Sequence, residues 1–155
     1  MSQMSAPGKH TSEMEPGEEF ETIEYVVTPE MVNYFLIGIN DRHPWYVEDS
    51  PFGGPVTPPI MVKMASIRLN VKHLWGDFIG ARFTKPAGLN TVSDLEYFAP
   101  VKVGEKVTVK GKCADNYMKR GRRYVSHETE IYGEDGRLCA RCVNTSLIGY
   151  QKEGE

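Results

Sequence analysis

Between Gly38 and Pro59 the sequence GINDRHPWYVEDSPFGGPVTPP gathers an acid, a histidine, adjacent Trp and Tyr, a glycine pair and a proline pair. Proton-transfer chemistry needs such a set, because an imidazole titrates near neutral pH and a carboxylate can orient it. Asp41 and His43 stand two residues apart, so one reading makes Asp41 the orienting acid and His43 the base. Tyr46 follows as a third polar group, and Trp45 beside it either lines a substrate tunnel or anchors the loop to the core. The Gly53-Gly54 pair suits a tight loop, with Phe52 packing beneath it.

Other chemistry-bearing residues are sparser. The CARC stretch from Cys139 to Cys142 has a metal-like or redox-like spacing, but residues three apart on a strand face opposite ways, and no second pair completes a tetrahedral site. We expect no metal and no redox cofactor. His73 and His127 lack a second ligand at metal spacing and read as structural. The run KRGRR, Lys119 to Arg123, reads as a solvated hairpin tip without a basic face around it, which argues against nucleic acid. Its functional alternative is to attract a phosphate through Arg120, Arg122 and Arg123.

These side chains need elements to hold them. Residues 1 to 18 mix Pro and Gly with charge and show no period, so a flexible tail is expected, with a second tail at 152 to 155 and one domain from 19 to 151. FETIEYVV, Phe20 to Val27, alternates imperfectly and predicts an edge strand. Thr28 caps a helix with Pro29 in its first position and with Met31, Phe35, Gly38 and Ile39 on one face, ending near Asn40. Thr57 is the expected cap of a second helix with Pro58 first, whose Ile60, Met64, Ile67, Val71 and Leu74 recur at spacings of 4, 3, 4 and 3. Met61, Val62, Ala65 and Leu69 widen that face, and Lys63, Ser66, Asn70 and His73 form a narrow polar stripe.

Beyond residue 88 the period changes to two. LNTVSDLEYFAPV, KVTVKGKC, RRYVSHETEIY and RLCARCVNTSLIGY predict four antiparallel strands in a meander, with MKRGR and GEDG as hairpin turns. Asn90 opens the first of them and either caps it or faces a substrate. One long, largely apolar helix followed by an antiparallel sheet packs best when the sheet curls around the helix. This α+β arrangement is the hot-dog fold, and its edge strand or free face leads us to expect a dimer.

The stretches NDRHPWYVEDSPFGGPVTPP, LEYFAPVKVGEKVTVKGK and KRGRRYVSHETEIYGEDGRLCAR together resemble the MaoC-like acyl-thioester hydratases and dehydratases, especially the subgroup similar to the dehydratase region of fungal fatty acid synthase. The resemblance covers most of residues 18 to 150. Catalytic members carry GD-x-N-P-x-H and, later, G-G-P-I-x-H-G at the start of the central helix. Asp41 matches the acid and Pro44 the proline, but His43 stands at the Asn and Tyr46 at the catalytic His. Phe52-Gly53-Gly54-Pro55 keeps the later motif, while its His-Gly has become Pro58-Pro59.

By this resemblance the ligand is an acyl thioester, most simply a coenzyme A ester, and the family reaction is reversible hydration of a 2-enoyl thioester. That reaction needs a base for water, a proton donor to the α-carbon, and hydrogen bonds to the thioester oxygen. A phenol ionises near ~10, so using one as a base near neutral pH costs roughly 4 kcal/mol. Proline has no N–H to give an oxyanion, and losing one such donor typically costs about 2.7–4 kcal/mol. The resemblance therefore implies the non-catalytic half of a two-hot-dog unit, in a homodimer or a hetero-oligomer with an Asp/His-bearing MaoC-like partner. Trp45, Gly53, Gly54, Pro58, Pro59 and Asn90 are then its substrate-binding candidates, and Arg120, Arg122 and Arg123 its candidates for coenzyme A phosphates. The alternatives are a self-sufficient hydratase using Asp41 and His43, and a hot-dog thioesterase. Residues 60 to 75 contain none of the acids a thioesterase usually places on or near that helix.

The bulk composition is compatible with all three. A hydrophobic fraction of 40% and a charged fraction of 25% predict a folded core, and a net charge of −3 gives no electrostatic footprint for nucleic acid. No apolar run reaches membrane-span length, no secretory signal opens the chain, and three cysteines cannot all pair, so the cytoplasm is the expected compartment.

Overall fold

The computed structural model describes residues 11–74 and 88–148. Strand β1 (Ile23–Val26) leads into α1 (Pro29–Ile39), a short α2 (Pro44–Val47) and the long α3 (Pro59–Leu74). Four strands follow: β2 (Gly88–Tyr97), β3 (Lys106–Lys119), β4 (Arg122–Tyr132) and β5 (Leu138–Ile148). They form one antiparallel sheet in the order β1-β3-β4-β5-β2. The sheet is thus not a simple meander: β2 crosses over to pair with β5 instead of β3. Both hairpin turns form where expected. The β3–β4 turn places Arg120 and Gly121 at φ 52 and 72, the left-handed pair that matches the twist of two flanking strands.

The α3 helix lies against β3, β4 and β5, and among its residues with described side chains Val62, Ala65 and Leu69 are the buried apolar ones. Under them sit Val109, Cys113, Val125, Ile131 and Ala140 in one core. Full burial of a Val or Leu side chain contributes about 1.5–3 kcal/mol, so this layer is what fixes the helix on the sheet. The phase differs from the one expected. Ile60, Met64 and Ile67, the regular stripe, are 49%, 40% and 40% exposed. Nearly every turn of α3 carries apolar residues on two sides, and the sheet selects the side with smaller residues, which lets the helix approach closely. The side chains of Val71, His73 and Leu74 lie outside the described residues. In α1 the phase shifts likewise: Val32 and Leu36 are the buried residues, while Gly38 and Ile39 are exposed.

Close approach also explains Gly111 on β3. A Cβ there would lie 2.5 Å from Leu69 Cδ2 and 3.0 Å from the carbonyl oxygen of Glu128. Leu69 is fully buried and cannot swing away. We expect Gly111→Ala to destabilise the fold by about 1–3 kcal/mol, read as a lower urea midpoint at unchanged slope.

Two ends differ from expectation. Residues 11–18, expected as part of a tail, are tied in: Thr11–Glu13 form a 3-10 turn, Met14 is 1% exposed, and the Gly17 N–H donates to the Cys113 carbonyl at 2.8 Å. Residues 1–10 and 149–155, including the second tail, lie outside the described residues. Thr28 does cap α1, its Oγ1 accepting the Met31 N–H at 3.3 Å, and Asn40 ends it at φ 51. At α3, by contrast, the Pro58 carbonyl accepts the first bonds, from the Met61 and Val62 N–H groups, and Thr57 Oγ1 is buried without a hydrogen-bond partner. Pro59 therefore opens the helix, one residue later than expected.

Candidate acyl-binding loop at the start of α3

The loop from Asp41 to Pro59 is built by its own short-range bonds. Asp41 Oδ1 accepts the His43 backbone N–H at 2.9 Å, and His43 Nδ1 accepts the Trp45 N–H at 3.3 Å, which caps α2. The carboxylate thus holds the backbone of His43 and leaves its ring alone. With Nδ1 serving as an acceptor, a neutral imidazole carries its proton on Nε2. Tyr46 packs against the core, with the His43 ring 5.5 Å away. Trp45 is 42% exposed, meets the edges of His43 and Phe52 at 5.4 and 6.1 Å, and accepts the Val56 N–H on its carbonyl. Phe52 is exposed as well, not packed beneath the glycines.

Gly53 and Gly54 adopt φ 78 and 92, a region that L side chains rarely enter. The preceding acid and serine hold them there. Asp49 Oδ1 accepts the Gly54 N–H at 2.8 Å, and Ser50 Oγ donates to the Gly54 carbonyl at 2.6 Å. Sequence reasoning passed over Asp49 and Ser50, although an Asp-Ser pair just before Gly-Gly is a recognisable turn signal.

The loop is docked onto residues 97–105. Thr57 donates its N–H to the Val101 carbonyl at 2.7 Å, and Val103 donates to the Pro55 carbonyl at 3.0 Å. Tyr97 Oη donates to the Pro59 carbonyl at 2.9 Å. Tyr97 was likewise missed, since nothing in a strand sequence says which helix carbonyl it meets. At the helix start Pro59 has no N–H, and the Met61 N–H is turned back to Pro58. The outward amide array that usually marks a helix N-terminus is thinned accordingly.

Asp41, His43, Trp45, Tyr46, Gly53, Gly54, Pro58 and Pro59 are therefore parts of one loop. Asn90 and the arginines are not brought to it within one chain. Asn90 is seven residues from Tyr97 along β2, about 23 Å at strand rise, and donates its Nδ2 to Ser93 Oγ at 2.9 Å. Arg123 pairs in register with Ile148 at the far end of the sheet, eight residues or about 26 Å from Ile131. One of its N–H groups is taken by Asn116 Oδ1 at 2.8 Å. Of the remaining residues weighed, Cys139 and Cys142 are both fully buried, with Cys139 Sγ towards the carbonyls of Pro100 and Arg137. Burial raises both thiols above their ordinary pKa. His127 is buried against Phe20, with ring centroids 5.3 Å apart. Among the described residues no helix is long and apolar enough to cross a membrane.

Comparison with known proteins places this geometry. Among curated proteins, none matches the chain in sequence. Among solved structures, a MaoC-like dehydratase from Rhodospirillum rubrum superposes with a TM-score of 0.70 at 15% identity, over 94% of this chain and 99% of its own. An (R)-hydratase from A. caviae involved in PHA biosynthesis gives 0.66 at 15% identity, over 88% of this chain and 98% of its own. The HadBC (3R-hydroxyacyl-ACP dehydratase) complex from Mycobacterium tuberculosis gives 0.64 at 17% identity, over 82% and 90%. These likenesses establish the hot-dog fold. A family model described as FAS1-like, dehydratase domain region, matches residues 15–141, and with it the chain belongs to that family of MaoC-like hot-dog proteins.

Proposed function

We propose that this chain is an acyl-thioester-binding hot-dog subunit that does not itself carry the proton-transfer step and works beside an Asp/His-bearing partner. The observation that carries this reading is the state of the loop. Asp41 is spent on a backbone N–H, Tyr46 stands where a base is needed, and Pro59 offers no amide to the thioester oxygen. The ligand is a coenzyme A or carrier-protein thioester, whose acyl carbonyl would lie near Pro59 and Gly54, with Trp45 and Phe52 as apolar wall.

The partner reading draws on the sheet. Strand β2 ends it, so among the described residues the outer edge of ten residues is unpaired. That edge contains no Pro and no Lys, the usual guards against strand addition. A second hot-dog sheet pairing there, identical or homologous, would also supply the basic groups that Arg120, Arg122 and Arg123 do not bring to their own loop.

Assaying the purified chain on crotonyl-CoA and longer 2-enoyl-CoAs tests the reading. We expect hydration at background rate, unchanged in His43→Ala, and activity only when an Asp/His-bearing partner is added. Rapid hydration by the chain alone, lost in His43→Ala, would refute it. Release of free coenzyme A, followed with a thiol reagent, would instead identify a thioesterase.

A further inference from the structure

We propose that the groove between β1 and the outward side of α3 binds an aliphatic chain ending in a carboxylate, with Arg68 as its anion-binding group. None of the residues lining this groove belongs to the Asp41–Pro59 loop, and the inference does not rest on the thioester reading.

The groove has a volume of about 780 Å3, inside the roughly 300–1,000 Å3 range of small-molecule sites. Its walls are Ile23 and Tyr25 on one side and Met64 and Ile67 on the other, with Thr22, Glu24 and Arg68 at the rim. Ile60, one turn before Met64, extends the apolar wall towards the start of α3. From Ile60 to Ile67 the stripe is about 10 Å long at 1.5 Å per residue, which suits a medium-length alkyl chain.

Charge decides what that chain should carry. Glu24 is already engaged, by Lys106 Nζ at 2.9 Å and by Thr108 Oγ1 at 3.2 Å. Arg68 has no ion-pair partner among the described residues. Its guanidinium carbon lies 4.4 Å over the Tyr25 ring. Stacking uses the flat face of a guanidinium and leaves its in-plane N–H groups free for a bidentate carboxylate. A neutral alkane would leave that cation unused, and inorganic phosphate would leave the apolar wall wet. A second copy of this chain docked face to face would bring another Arg68 and another engaged Glu24, burying cations without anions. An amphiphilic anion satisfies both halves of the groove.

Such a ligand has two sources, a free fatty acid or an acyl thioester with a carboxylate at its far end. The test uses the full chain with its methionine methyl groups labelled with carbon-13, titrated with decanoate, with 1-decanol, and with the mono-coenzyme A thioester of decanedioic acid. We expect saturable shifts of the Met64 methyl with decanoate, and at least tenfold weaker binding of decanol. Arg68→Leu and Arg68→Gln should each weaken decanoate about tenfold and leave decanol unchanged. Binding of the dioic thioester alone, with the same Arg68 dependence, would support the proposal and assign its source. Equal affinity for decanoate and decanol, indifference to both Arg68 variants, or a Met64 signal that never moves would overturn it. So would a fall in molecular mass on Ile67→Asp, because the groove would then be a self-association face.

Discussion

Replacing Arg137 by Ala should cost about 3 kcal/mol of stability and lower the melting temperature by roughly 10 °C, the largest loss expected from any single charged side chain here. Glu105 is only 8% exposed, and Arg137 supplies its bidentate counter-charge. Arg137 Nη1 donates to Oε1 at 2.7 Å and Nη2 to Oε2 at 2.8 Å, a bidentate pair. The backbone N–H groups of Lys102 and Glu134 fill the remaining positions at 2.8 and 3.0 Å. Removing the arginine would leave a buried carboxylate with two main-chain amides and no counter-charge, which is worse than never having placed the pair. Arg137→Lys keeps a charge but loses the fork, so it should fall between the wild type and Arg137→Ala. The same guanidinium donates to the Pro100 carbonyl at 2.8 Å, next to Val101, which receives Thr57. Chemical denaturation of the three proteins measures the loss, and a change below about 0.5 kcal/mol for Arg137→Ala would show that Glu105 finds other partners.

Stability should also fall by about 3 kcal/mol between pH 6.5 and pH 4, because of one residue. Burial of His127 disfavours its charged form and lowers its pKa from 6.5 to about 4. Below pH 6.5 the unfolded chain takes up a proton that the folded chain refuses. Its stabilising effect is therefore complete above pH 6.5 and gone below about pH 4; the span between the two values corresponds to the figure given. Glu105 acts in a lower window. Burial pushes its carboxyl up, but hydrogen bonds from Arg137 and from the Lys102 and Glu134 N–H groups outweigh this and hold it below its ordinary 4.5. Its contribution is present above that ordinary value and lost as the pH falls through the lowered one. Denaturation midpoints collected across pH separate the two, since His127→Gln should flatten only the upper window. A His127 ring that titrates near 6.5 by NMR would remove the basis of the prediction.

The contrast between α3 and the loop shows what the sequence alone conveys. Turn residues and strand periods are local, so both hairpins and the cap of α1 were legible. The hot-dog arrangement followed from one long helix and a sheet. The side that α3 turns to the sheet was not legible, because Ile60-Met64-Ile67 and Val62-Ala65-Leu69 are both helical stripes. Only the partner surface, with Gly111 making room for Leu69, chooses between them. The crossover of β2 to β5 was equally hidden, since an alternating strand does not specify its neighbour. In the loop, residue identity disclosed which groups are present, yet not that the Asp41 carboxylate faces a main-chain amide. An Asx bond asks only for the acid and any main-chain N–H two residues on, so Asp41 and His43 at that spacing are compatible with either bond.

The paired prolines at the head of α3 constrain what this polypeptide can become. On the non-catalytic role proposed above, placing an imidazole at position 46 would still leave the developing negative charge without the amide of position 59, and placing a glycine at position 59 would still leave water without a base. Each reversal is idle without the other, so no single substitution offers selection a gain to act on. Under the proposed non-catalytic role the loss would behave as a ratchet, leaving such a fold to be shaped for holding, matching and pairing.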